Sequence, residues 1–304
     1  MKQLFYLPFR AMGCAITVQL ETEEDGHALL SAIPAQVETV EARLSRFRPD
    51  SELMRLNAHV GQWVTVSAVL FDNIHAAKHA ARMTEGDFNP LVLPSLIANG
   101  YDRSFADLHA PISAAPVPAG DWRALALRPS KRQVLIPPGS ALDLGGIAKG
   151  WMAARLADEL AAYGACLVNI GGDLAVRGAP QATSGWQIDI EDPHDGSVVV
   201  SLQVHSGSIV TSGTDYRRWT TADGASQHHI INPHTGRAAE TDVFSVTVHH
   251  PHAPTAEAYA KAVLLRGAEA GLLWLQSQWH TAGLVVLHNG AVFATPNFSA
   301  LIVA

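Results

Sequence analysis

ACLVNIGGDLAVRG, residues 165–178, decides how the rest of the chain is read. Two strand-like runs, ACLVNI and DLAVRG, flank the pair Gly171-Gly172. Glycine between such runs marks a turn or a bulge, because it tolerates backbone angles that other residues avoid. Three more strand-like runs follow: WQIDIED, VVVSLQV and GSIVTSG. Ahead of the stretch, DLGGIAKG leads into the helical run WMAARLADELAAYG. Strand following strand, with helices inserted between groups, predicts an α+β fold with mainly antiparallel sheets packed against helices.

Working toward the N-terminus, QVLIPP and RALALRP pair as strands, and CAITVQLE (14–21) alternates apolar and polar residues as a strand does. Val37, Val40, Leu44 and Phe47 mark one face of a helix starting near Pro34. Asp50 or Ser51 caps the short helix SELMRLN, QWVTVS is a brief strand, and Ser67 opens a helix running to about Met83. Residues 102–120, rich in Ala, Pro and Ser, read as a surface loop and as the best place for a subdomain boundary within one domain spanning 1–304. Toward the C-terminus, TADG (221–224) makes a turn before HHIINP. FSVTVHH is a strand, the helix holding Glu257 follows, and Asn289-Gly290 turns a final hairpin.

Composition removes several classes of function. Of the 304 residues, 48% are hydrophobic and 16% charged, which fits a folded protein with a sizeable core. The net charge of −7 comes without a basic block, which argues against nucleic acid as a partner. No run of 18 or more apolar residues is present, so no membrane span is expected. The sequence before Cys14 is too short for a secretory segment, so AMGC is not read as a lipoprotein box and a cytoplasmic location is expected. Cys14 and Cys166 suggest neither a disulfide framework nor a zinc site. Oligomeric state is not legible.

Chemistry concentrates at a few stretches. In DLGGIAKG (143–150), Gly145 and Gly146 let a ligand approach the backbone, and the free N–H groups of the following helix favour an anion. Lys149 places a cation at the end where a helix disfavours it, which points to a phosphate; a tight turn with Asp143 as N-cap is the structural alternative. NIGGD puts an acid beside a second glycine pair, by itself a turn, together with the first a backbone-lined site. Arg217 and Arg218 suit phosphate or carboxylate, or are solvated on a hairpin. His228 and His229 enter a strand, so at most one of them faces a given site as a base. HHPH (249–252) has metal-ligand chemistry without further ligands at suitable spacing.

Taken in order, AMGCAITV, LSRF, DSELMRLN, FNPLVLPSLIANGY, DLGGIAKG, LVNIGGD, TSGTDYRRW, HHIINPHTG and the Ala-rich helix after SVTV resemble the ApbE family, the FAD:protein FMN transferases. The resemblance implies an ApbE-like, T-fold-like α+β architecture. It also implies a transferase that cleaves FAD, attaches FMN by a phosphoester to a Thr or Ser of an acceptor flavoprotein, and releases AMP. By position, Met12 and Phe47 would line the flavin pocket, and Asp143 and Lys149 would contact FAD. His229 would be the general base and Ile230 would pack near the nucleotide, while Asn232 and His234 replace the family's usual Asp and Arg.

The family also uses a divalent metal, usually Mg²⁺, held by a backbone carbonyl at the position of Gly146 and by a helix resembling A-D-x-x-A-T. Here that helix reads A-E-A-Y-A-K, with Glu257 at the Asp and Lys261 at the Thr. Glutamate can ligate a metal; an ammonium, with three donors and no lone pair, cannot. Lys261 is therefore expected to stand in for the metal's charge. Two other outcomes stay open: hydrolysis of FAD to FMN and AMP, and an FAD-binding homologue that has lost catalysis.

Overall fold

In the computed structural model, Ile170 and Asp173 pair across a two-residue loop, and Gly171 and Gly172 have φ of 60° and 93°. Positive φ at both central residues is the geometry whose twist matches flanking antiparallel strands. The glycine pair is thus a hairpin turn rather than a bulge. The structure describes every residue except Ala110, Pro111, Ser113, Asp223 and Ala304. Parts of the 102–120 loop and of the TADG turn therefore lie outside the described residues.

The chain divides into two units. The first comprises Met1–Glu38, Lys149–Gly213 and Thr241–Ala304, the second Thr39–Ala148 and Thr214–Glu240. The 102–120 segment lies inside the second unit, and the divisions fall elsewhere.

In the first unit, eight strands lie side by side in chain order: Gln3–Ala11, Cys14–Thr22, Ala165–Ile170, Asp173–Arg177, Ser206–Gly213, Val243–His250, Ala282–Leu287 and Val292–Ala294. Every neighbouring pair is antiparallel. Successive side chains point to opposite faces, and both faces are covered. On one face Leu167, Val176, Ile209 and Leu284 cluster with Ile188 and Leu202 of the hairpin Trp186–Glu191/Val198–Val204 and with Phe298. On the other, the Cys166 thiol donates to the Ala157 carbonyl of helix Ala148–Leu160 at 3.4 Å. Helix Ala253–Arg266 packs there against strands Ser206–Gly213 and Val243–His250. A Cβ on Gly283 would fall 2.3 Å from Leu275 Cδ2, so glycine lets helix Ala268–Gln276 lie directly on its strand. The edge strand Gln3–Ala11 has no counterpart in the sequence reading, because its inward face is only half buried and its apolar pattern is correspondingly weak.

The second unit is mainly helical. Ser51 and Ser67 accept from Met54 N and Leu70 N and so cap helices Glu52–Asn57 and Ala68–Met83, as their sequence positions indicate. QWVTVS contributes only Val64–Thr65 to a three-stranded sheet with Gln133–Leu135 and Ala126–Arg128. The helix near Pro34 spans Ile33–Leu44, so Phe47 lies beyond its end and not on its face. No helix among the described residues is long and apolar enough to cross a membrane.

Candidate functional site

The residues singled out from the sequence fall into two sets. Met12, Lys149, Glu257 and Lys261 belong to the first unit; Phe47, Asp143, Gly146, His229 and Ile230 belong to the second.

In the first unit the set gathers at one end of the large sheet. Met12 and Gly13 form a two-residue turn between the first two strands, with Ala11 paired to Cys14. Their φ values are 53° and 69°, and positive φ at a non-glycine such as Met12 is uncommon. Gly171 lies against this turn: a Cβ there would sit 2.8 Å from Cys14 Sγ, and its N–H donates to the Ala15 carbonyl at 3.0 Å.

The Gly171-Gly172 turn delivers Asp173 to the same end, where it is buried and ion-paired to Lys149. Lys149 Nζ also lies 3.7 Å from Glu257 Oε1, and Lys261 Nζ lies 3.3 Å from the same oxygen. Glu257 Oε2 accepts the N–H of Gly150 at 3.3 Å. Glycine leaves room at 150, where a Cβ would crowd that oxygen at 3.0 Å and the Ala253 carbonyl at 3.2 Å. The small residue lets helix Ala148–Leu160 approach the helix carrying Glu257.

Two acids and two lysines thus form one network, in which Glu257 is 1% exposed. Burial would lower the Lys149 pKa, but the Asp173 and Glu257 carboxylates override it and hold the ammonium protonated. Burial would likewise raise Glu257, and Lys261 and Lys149 outweigh it, so its carboxyl ends below the usual range. Asp173 goes the other way: burial and the neighbouring Glu257 push it up to about 6. The cation at the disfavoured helix end is therefore neutralised from within the unit. Asp173 was not singled out as a site residue; its signal was the acid directly after a glycine turn.

In the second unit, Arg46 is the hub. Its Nε meets Asp143 Oδ2 at 2.9 Å, and its Nη1 donates to the Tyr101 carbonyl at 2.7 Å. The guanidinium lies over the Phe47 ring at 4.2 Å and the Tyr101 ring at 4.4 Å. Tyr101 in turn contacts Trp219 at 5.2 Å between ring centroids. The Arg46 side chain is 6% exposed, yet Nη2 has no partner among the described residues. Phe47 is 39% exposed, so one aromatic surface is open to a ligand. Asp143 accepts from Gly145 N at 2.9 Å, which makes it the anchor of the glycine turn and not the cap of the helix that starts at Ala148. Sequence reading missed Arg46, although LSRF contains it.

The strand Ser226–His228 ends at the first histidine, so the expectation that both lie in a strand holds only for His228. Both ring nitrogens of His228 are engaged by backbone, with Nε2 3.0 Å from the Ala239 carbonyl and Nδ1 accepting from Ile230 N at 3.3 Å. That pattern assigns the proton to Nε2 and ties His228 to structure. His229 is half buried and its N–H donates to the Arg217 carbonyl at 3.2 Å. Ile230 is buried, and its carbonyl accepts from Ala239 N at 2.9 Å.

Among the described residues no group of three or more His, Cys, Asp or Glu has the arrangement to hold a metal, and this includes HHPH. There, His249 lies 3.4 Å from the Ser206 carbonyl, and burial lowers the His250 pKa to about 4.

Comparison with known proteins gives one answer by sequence and by shape. The model of the ApbE family matches residues 12–285. A Treponema pallidum protein named FAD:protein FMN transferase is 34% identical over 265 residues, covering 80% of this chain and 72% of its own. A Klebsiella pneumoniae protein of the same name is 29% identical over 285 residues, covering 91% and 87%. The solved structure of an ApbE protein from Thermotoga maritima superposes with a TM-score of 0.89 at 26% identity, over 99% of this chain and 100% of that one. A Vibrio cholerae structure titled flavin transferase ApbE gives 0.83 at 25%, over 99% and 100%.

Proposed function

The chain belongs to the ApbE family, and from that membership we propose that it is an FAD:protein FMN transferase. The observation that carries the proposal is the match to relatives of that name over most of their length, through segments drawn from both units. The same continuity favours reading residues 1–304 as one functional domain.

FAD is the donor substrate, and the acceptor is a protein hydroxyl, Thr or Ser, on a flavoprotein. That oxygen attacks the phosphorus of the FMN half, the bridging bond breaks, and AMP leaves with the electron pair. A neutral hydroxyl needs a base for this, and His229 takes its proton. His228 is held by backbone at both ring nitrogens, which supports His229 over its neighbour. Phe47 and Met12 offer apolar surface to the flavin, and Asp143 is held by Arg46 for a polar contact with FAD. Buried Ile230 shapes the segment that presents His229.

The residues present do not fit the family's Mg²⁺. A hard cation of this kind takes oxygen ligands at about 2.0–2.1 Å in octahedral geometry. Glu257 Oε1 already serves two ammoniums and Oε2 a backbone N–H, while Asp173 is committed to Lys149. At an effective dielectric of about 20, two unit charges about 4 Å apart repel by about 4 kcal/mol and a divalent ion doubles that for each lysine, so the two ammoniums cancel the pull of the two carboxylates on such an ion.

The test is incubation with FAD and the acceptor flavoprotein of one of the relatives. AMP release together with an acceptor mass gain of one FMN less one water is expected, and His229→Ala should lower the rate about 10²–10⁴-fold, the range for loss of a general base. AMP without acceptor labelling would identify a pyrophosphatase, and FAD binding without AMP would leave only a binding protein.

A further inference from the structure

The network that turns away a divalent ion contains its own positive replacement. Lys261 Nζ uses two of its three donors, both at 3.3 Å, on the Glu257 carbonyl and on Oε1. Its side chain keeps 18% exposure, and its third N–H has no partner among the described residues. Lys149 differs: it is shared between Asp173 and Glu257, whereas among the described residues Lys261 is ion-paired to Glu257 alone. With all four groups ionised, the network sums to zero charge, and the anchoring acid is almost fully buried. An ammonium fixed this way cannot leave as a metal ion can.

We propose that the Lys261 ammonium takes the place of the divalent cation in this chain, meeting a non-bridging pyrophosphate oxygen of FAD, so that flavin transfer needs no added metal. This rests on the transferase reading. In the step itself, the acceptor oxygen forms the new bond to the FMN phosphorus and the bridging P–O bond breaks toward AMP. The hydroxyl proton goes to His229. Lys261 stays protonated throughout and only offsets charge on the phosphate oxygens, as a fixed donor aimed at developing charge does.

Two measurements on chelator-treated protein test this. The first is Mn²⁺ binding to the FAD-free chain, followed by electron paramagnetic resonance. The native chain should show no bound Mn²⁺ at millimolar concentration, whereas Lys261→Thr removes the ammonium and supplies an oxygen donor, raising Mn²⁺ affinity at least about tenfold. The second is AMP release from FAD with acceptor present, in EDTA and in Mg²⁺. Native activity should agree within about twofold between the two, Lys261→Thr should work only with Mg²⁺, and Lys261→Met should lose about 10²-fold in both. The methionine variant keeps the apolar stem, so it guards against a threonine variant that fails to fold. Native Mn²⁺ binding that disappears in Glu257→Gln, or abolition of native activity by EDTA, would overturn the proposal. Absence of AMP from every variant in both conditions would remove the transferase reading instead, and Mn²⁺ binding would still decide whether Lys261 excludes the metal.

Discussion

Both units compensate cations that are largely withdrawn from solvent, and they do it by opposite means. In the first, Lys149 and Lys261 are compensated by carboxylates, charge against charge, with every oxygen of Glu257 in use. In the second, Arg46 is compensated by one carboxylate and by the faces of Phe47 and Tyr101. A lysine is a point charge and accepts the first arrangement; a planar guanidinium can stack and accepts the second. The consequence for ligands differs. Carboxylate compensation sets ammoniums beside the acceptors that a further cation would use, whereas stacking leaves the Arg46 Nη2 donor without a partner among the described residues.

The contrast breaks most visibly at Glu257. Glu257→Gln leaves two ammoniums facing one carboxylate in a buried site, and removing one partner of such a pair costs about 3–5 kcal/mol. Urea unfolding should show that loss; a cost below about 1 kcal/mol, typical of exposed pairs, would mean that the network is solvated.

Asp173→Asn should cost less than Glu257→Gln, because burial and Glu257 already disfavour its ionised form. Its carboxyl holds a proton up to about 6 in the folded chain against an ordinary value of 3.8. The folded state therefore binds more protons than the unfolded chain between about pH 4 and 6, and this group's contribution to stability falls as pH rises through that window. Asn at 173 should flatten that part of the stability profile, and an unchanged slope would show that the titration belongs elsewhere.

For the second unit, Arg46→Lys keeps the charge and removes the stacked plane. FAD dissociation should rise about tenfold, in line with the roughly 1–2 kcal/mol of a desolvated cation–π contact. Unchanged FAD affinity would reduce Arg46 to a point charge and erase the distinction between the units. The smallest effect is expected at Arg155–Glu159, which has the same i, i+4 spacing as Glu257–Lys261 but is 47% and 44% exposed. Arg155→Ala should change stability by no more than about 0.5 kcal/mol.

Much of this was legible in the chain. The order of strand-like runs predicted an antiparallel α+β fold, and Ser51, Ser67 and Asn289-Gly290 marked caps and a hairpin that the structure contains. The A-E-A-Y-A-K departure marked Glu257 and Lys261 as the place where this chain differs from the family's metal ligands. What escaped was the company of each residue. Asp173 lies 84 positions from Glu257 and 24 from Lys149, and no local pattern joins them. Arg46 and Asp143 are 97 positions apart and equally unconnected in sequence.

The sequence by itself determined which elements form, because capping, turn geometry and side-chain periodicity act over a few residues. It also determined that position 261 carries an ammonium and no lone pair. Only the tertiary structure decided that this ammonium shares one carboxylate oxygen with Lys149, and that His228 is committed to backbone. Those outcomes depend on which segments the sheet and its helices bring within 4 Å, where charges set one another's protonation and leave or remove room for an ion.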